Sequence, residues 1–148
     1  MTREFICRNE TETYALGKRL ASFLEAGMFV ALYGDLGTGK TAFVKGIGGT
    51  LGSDEVTSPT FTIVQEYDTE PKLYHFDVYR LSGTDELYAM GYEDYLDGSG
   101  VILMEWAELV PDALPAQRLD IRICKSGEDR IFHLNPLGAE YERMVGVL

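Results

Sequence analysis

Positive charge is scarce in this chain of 148 residues: 13 Lys and Arg stand against 24 Asp and Glu, a net charge of −11. The basic residues are scattered and never form a cluster of three. A protein that grips nucleic acid neutralises phosphates with a basic footprint. Direct, tight nucleic-acid binding by this chain alone is therefore not expected. An acidic surface suits an enzyme, or one half of a complex whose partner carries a basic face. Cysteine is scarce as well. Cys7 and Cys124 lie far apart in apolar-patterned stretches. They read as two buried thiols of a cytosolic protein, with neither a disulfide nor a metal site between them. No apolar run approaches the length of a membrane span, and Met1-Thr2-Arg3-Glu4-Phe5 lacks a signal-peptide core. Internal repeats, low-complexity stretches and linkers are also missing, so one domain over residues 1–148 is expected.

Glycine, by contrast, is present at one informative place. Gly34-Asp35-Leu36-Gly37-Thr38-Gly39-Lys40-Thr41 follows the apolar run 28–33 and leads into the helix-like run 42–45. This is G-x-x-x-x-G-K-[ST] in the strand–loop–helix setting of a P-loop. The glycines let the backbone curl so that successive N–H groups face phosphate oxygens. The helix N-terminus adds positive partial charge. Lys40 is placed to reach the β- and γ-phosphates of a triphosphate, and the Thr41 hydroxyl to ligate Mg²⁺.

The rest of the chain alternates between helix and strand patterns. Residues 3–8 read as a short edge strand. Asn9 is an N-cap with Glu12 three residues on, a capping-box variant. Leu16, Leu20, Phe23 and Leu24 recur at helical spacing, with Gly27 as a C′ glycine. Residues 28–33 show no polar alternation, as in a parallel strand covered on both faces. The helix after Lys40 carries Phe43, Val44, Ile47 and Leu51 on one side, but also Gly46, Gly48 and Gly49. Interior glycines cost about 1 kcal/mol each relative to alanine; either something packs closely on this helix or its C-terminal half is loose. Strands 61–67 and 73–79 flank a polar turn and read as an antiparallel hairpin. Weak helical pieces follow at 85–90 and 92–96, then a buried strand over 101–104 closed by Glu105. Leu119, Ile121 and Ile123, with residues 131–134, make a second hairpin, and a short helix is expected from Pro136 onward. The fold class predicted is α/β: a P-loop NTPase-like domain with a mixed parallel/antiparallel sheet flanked by helices.

Turnover of a bound triphosphate needs Mg²⁺ held from a second direction and an oriented water. Glu105 ends an apolar strand, as a Walker-B carboxylate does, at the sheet edge where α/β proteins bind ligands. The period of two puts His75 and Asp77 on one face of their strand. An Asp within an apolar strand needs a reason, so Asp77 is a functional candidate. Thr60, in the Ser58-Pro59-Thr60 turn, is either a switch residue sensing the γ-phosphate or a local turn former. His75 reads as a satisfied strand histidine, Trp106 as a stacking or a core residue, and Arg80 as the partner of a carboxylate ahead of a group that stabilises the transferring phosphoryl.

The order of these blocks resembles the TsaE family. The residues that carry the likeness are 34–41, Ser58-Pro59-Thr60-Phe61, His75-Phe76-Asp77-Val78-Tyr79-Arg80-Leu81 and Glu105-Trp106. They occur in order over nearly the whole chain. The resemblance implies a weak, Mg²⁺-dependent ATPase required for threonylcarbamoyladenosine in tRNA, in the cytoplasm. It implies as partners TsaD, which transfers the threonylcarbamoyl group, and its paralogue TsaB, with tRNA met only through them. ATP binding would promote assembly and hydrolysis would reset the complex. Gly34, Asp35, Leu36, Gly37, Thr38, Gly39, Lys40 and Thr41 would bind the nucleotide's phosphates. Thr41 and Glu105 would hold Mg²⁺, and Lys40, Thr60, Asp77 and Glu105 would serve hydrolysis. Glu10 and Thr11, with Arg130, are the candidates for the adenine side. Thr38 departs from the family's common Ala, and the doubled Gly48-Gly49 is less usual.

Three other readings compete with this one. A small-molecule or nucleoside kinase generally has an Arg-rich lid, and this chain has no arginine cluster after the P-loop. A GTPase-like switch would read guanine with Asn-Lys-x-Asp, which is absent. A nucleotide-dependent binding module stands close to the TsaE reading.

Overall fold

Residues 2–34, 40–53 and 63–148 are described in this computed structural model. Chain order gives β1 (Arg3–Cys7), α1 (Glu10–Ala21), β2 (Phe29–Tyr33) and α2 (Lys40–Leu51), then β3 (Val64–Tyr67) and β4 (Lys72–Asp77). There follow α3 (Thr84–Ala89), α4 (Tyr92–Tyr95), β5 (Gly100–Glu105), two 3₁₀ turns, β6 (Arg118–Ser126), β7 (Asp129–Leu137) and α5 (Ala139–Val147). The seven strands form one sheet in the order β1-β7-β6-β2-β5-β4-β3. Its centre, β6-β2-β5-β4, is parallel; β3 on one side and β7 and β1 on the other pair antiparallel. The α/β class, the mixed sheet and both hairpins are as the sequence predicts.

Helices cover both faces, which is why β2 is buried at every position. Val30 and Leu32 pack with Leu16, Leu20, Phe43 and Ile47 of α1 and α2 and with Tyr141 and Val145 of α5. Phe29, Ala31 and Tyr33 pack on the other face with Leu87 and Tyr92 of α3 and α4. At the start of α1 the Asn9 side chain accepts from the Glu12 N–H at 2.9 Å, and the Glu12 carboxylate accepts from the Arg8 N–H at 2.9 Å.

The glycines of α2 are explained by close packing. A Cβ on Gly46 would lie 2.2 Å from the Tyr14 carbonyl oxygen, and one on Gly17 2.3 Å from that of Phe43. The two helices meet backbone to backbone, which only glycine permits. α2 continues through Gly46, Gly48 and Gly49 to Leu51.

Three boundaries differ from the sequence expectation: the end of α1, the end of β7, and the end of β4, which stops at Asp77 instead of running to 79. α1 ends at Ala21, where Phe23 and Leu24 bond back three residues to Leu20 and Ala21 and tighten the last turn. Gly27 lies beyond, in the turn before β2, its N–H donating to the Gly100 carbonyl at 2.9 Å. Pro136 belongs to β7, opposite Leu119, and not to the final helix. It is tolerated because β1 pairs β7 only as far as Leu134, so its missing N–H breaks no bond to that neighbour. Both cysteines are free; Cys7 is buried and Cys124 half-buried.

Candidate functional site

The parallel strands β2, β5 and β4 bring three chemically distinct positions to one end of the sheet. β2 ends at Tyr33, next to Gly34. In β5 and β4 the register sets Glu105 opposite both Leu32 and Asp77. Side-chain alternation does the rest. Leu73 and Leu103 face the α1–α2 cluster, so His75, Asp77 and Glu105, spaced by twos from them, stand on the same side. α2 starts there with Lys40.

Around Glu105 the contacts are close and buried. His75 Nε2–H donates to Glu105 Oε2 at 2.6 Å, and Lys40 Nζ lies 4.0 Å from Oε1. Glu105 is 4% exposed, Lys40 6% and His75 fully buried, so the glutamate and lysine meet out of reach of bulk water. Lys40 Nζ also donates to the Gly34 carbonyl at 2.8 Å and sits 4.3 Å from the centre of the Trp106 ring. Gly34 takes φ +146°, and Trp106 is the non-glycine residue with positive φ among those described, at 63°. A bulky residue there costs of order 1–3 kcal/mol and is found where neighbours over-determine it. Here the Tyr79 ring, 4.7 Å away, and the Lys40 ammonium fix the indole.

Asp77 is half-buried, and its Oδ1 accepts the Tyr79 N–H at 3.0 Å. Burial pushes its carboxyl above the ordinary value; the Tyr79 bond opposes this, the Glu105 charge adds to it, and Lys40 and His75 oppose it.

A groove opens beside the start of α2. One cavity of about 300 Å³ is lined by Asn9, Glu10, Thr13, Thr41, Ala42, Glu128 and Arg130. A second, of about 350 Å³, shares Glu10, Thr41 and Ala42 with it and adds Thr11, Tyr14 and Lys45. The two adjoining cavities together bring Glu10, Thr11, Thr41 and Arg130 to the start of α2. The β1–β7 pairing makes this possible, for it sets Arg130 opposite Cys7, just before α1. The volume suits a small organic ligand.

Asp35, Leu36, Gly37, Thr38, Gly39 and Thr60 lie outside the described residues. Thr13 lies in the stretch that follows Glu10, as the sequence leads one to expect, whereas Asn9, Ala42, Glu128 and Lys45 are groove residues that the sequence does not single out, and His75 reads there as an ordinary strand histidine. The signal for His75 is its period-two spacing from Asp77; that for Asn9 is its place as the α1 cap.

The chain is thus a three-layer α/β domain on a mixed seven-stranded sheet, with a lysine at a helix start facing a strand-end carboxylate. A family model described as "Threonylcarbamoyl adenosine biosynthesis protein TsaE" matches residues 7–132. The chain belongs to the TsaE family. It is 45% identical over 139 residues to the tRNA threonylcarbamoyladenosine biosynthesis protein TsaE of Bacillus subtilis, covering 92% of this chain and 87% of that one. The protein of the same name from Treponema pallidum is 39% identical over 119 residues, with 80% and 88% covered. That of Synechocystis is 43% identical over 120 residues, with 77% and 75% covered. The crystal structure of Bacillus subtilis YdiB superposes with a TM-score of 0.85 at 38% identity, over 99% of this chain and 93% of that one.

Proposed function

We propose that this chain is a Mg²⁺-dependent ATPase of tRNA threonylcarbamoyladenosine biosynthesis, which binds a TsaB–TsaD pair in its ATP state and resets it on hydrolysis. Membership of the TsaE family supports the biosynthetic role. The observation that carries the ATPase reading is the convergence of Lys40, Glu105 and Asp77 at one sheet edge, beside a G-x-x-x-x-G-K-[ST] loop.

Lys40 binds the β- and γ-phosphates, exchanging its bond to the Gly34 carbonyl for phosphate oxygens. Thr41 and Glu105 would hold Mg²⁺. Among the described residues no three His, Cys, Asp or Glu side chains gather as a metal cage. Mg²⁺ is content with one or two carboxylates beside phosphate and water oxygens, which this donor set fits. When bound, the ion neutralises charge on the phosphates. Asp77 orients the attacking water and accepts its proton at the oxygen not bonded to Tyr79. Thr60 senses the γ-phosphate. The adenine and ribose lie in the groove of Glu10, Thr11 and Arg130.

The protein acts in the cytoplasm and meets tRNA only through its partners, as its net charge of −11 favours. No helix among the described residues is long and apolar enough to cross a membrane. The test is the fate of the γ-phosphate. Release of inorganic phosphate to water in Mg²⁺ is expected; transfer to a small-molecule acceptor would make the chain a kinase.

A further inference from the structure

We infer that His75 is a positioning residue, a tether that fixes the Glu105 carboxylate for the metal. The inference rests on the reading of Glu105 given above. His75 is fully buried in β4, between Leu73 and Asp77 and opposite Leu103 of β5. The one hydrogen bond of its ring among the described residues runs from Nε2–H to Glu105 Oε2, at 2.6 Å; Nδ1 has none. An unpaired buried polar atom costs about 1–3 kcal/mol. Leucine or phenylalanine would fill an apolar wall without that cost, so the ring's polar character is used on the Glu105 side.

The geometry shows what the bond achieves. The terminal torsion of a glutamate is broad and roughly two-fold, so an untethered carboxylate turns easily. Lys40, 4.0 Å from Oε1, is too far for a hydrogen bond and cannot hold it. His75 pins Oε2 from beneath, by a short charge-assisted bond. Oε1 is then left directed toward Lys40, the side on which the phosphates are placed. Groups that hold a ligating carboxylate from behind set metal affinity without touching the metal.

The test is titration calorimetry of the full chain with adenylyl imidodiphosphate, once with Mg²⁺ and once with EDTA, on the native chain, His75→Gln and His75→Asn. The glutamine amide nitrogen falls near the place of Nε2 and keeps the bond; that of asparagine falls near Nδ1 and loses it. The Mg²⁺-dependent tightening is expected to persist in His75→Gln and to fall about tenfold or more in His75→Asn, with the affinity in EDTA unchanged in both. Equal tightening in His75→Asn and the native chain would overturn the inference, as would parallel weakening in Mg²⁺ and EDTA or no rescue by glutamine. Failure of either variant to fold makes His75 a structural residue and overturns it too. A native chain that binds no nucleotide removes the ATPase reading itself, and this inference with it, before any variant is compared.

Discussion

Lys40 Nζ stands 4.0 Å from Glu105 Oε1, and both side chains are almost wholly buried. The lysine begins a helix and the glutamate ends a strand, so the fold itself sets their separation. Their roles are separable by substitution. Lys40→Ala removes a charged donor to phosphate, worth about 1.5–3 kcal/mol, and should weaken ATP binding about tenfold or more. Glu105→Ala should leave metal-free binding in place and abolish most Mg²⁺-dependent turnover. Calorimetry and a phosphate-release assay check both, and unchanged hydrolysis in both variants would remove the catalytic assignment.

Asp77 carries a pH prediction. Its carboxyl is raised above 3.8, first by burial and then by the Glu105 charge. From 3.8 upward to the raised folded value, the native state binds more protons than the unfolded chain. The contribution to stability is full below that window and is lost as pH rises through it. Asp77→Asn, which keeps the acceptor for the Tyr79 N–H, should therefore melt higher than the native chain at pH 7, and the gap should close in acid. The same variant should hydrolyse ATP about 10²-fold or more slowly, the loss typical of a general base. A variant that melts lower at pH 7 with full activity would contradict both halves.

The packing of α1 on α2 makes a prediction whose sign is decisive. Helix propensity alone says Gly46→Ala should stabilise, by about 1 kcal/mol. The Tyr14 carbonyl oxygen, 2.2 Å from the new Cβ, says the opposite. Overpacking costs about 1–3 kcal/mol, and each kcal/mol lowers the melting temperature by about 2–4 °C in a chain of this size. Gly46→Ala should therefore melt several degrees lower in a thermal scan. An unchanged or higher melting temperature would show that the helices do not touch there.

Much of this architecture was legible in the sequence because its signals are local. The unbroken apolar run 28–33, the Asn9 cap and the two polar turns each fix one element with a few neighbouring residues. The α/β class and the mixed sheet follow from them. What was not legible depends on distant pairs. Gly46 reads as a weak point until Gly17 and Tyr14 are brought against it. His75 reads as ordinary until the register of β4 on β5 sets it beside the Glu105 strand. The twist of Trp106 to positive φ has no mark in the sequence at all, since it is imposed by Tyr79 and Lys40 from other elements.

Trp106 is the sole tryptophan and has the Lys40 ammonium 4.3 Å from its ring centre. A cation at that distance perturbs the indole. Lys40→Ala should shift the intrinsic emission without any nucleotide, and ATP should shift that of the native chain as Lys40 turns to phosphate. Superimposable spectra for the native chain and the variant would place the lysine elsewhere.

Hydrolysis at this site is proposed to serve a TsaB–TsaD pair. The direct measurement is the steady-state ATPase rate of the purified chain in Mg²⁺, alone and with that pair added. A slow rate alone that rises severalfold with the pair is the predicted result. A rate that the pair leaves unchanged, with no complex formed in the presence of ATP, would contradict the account.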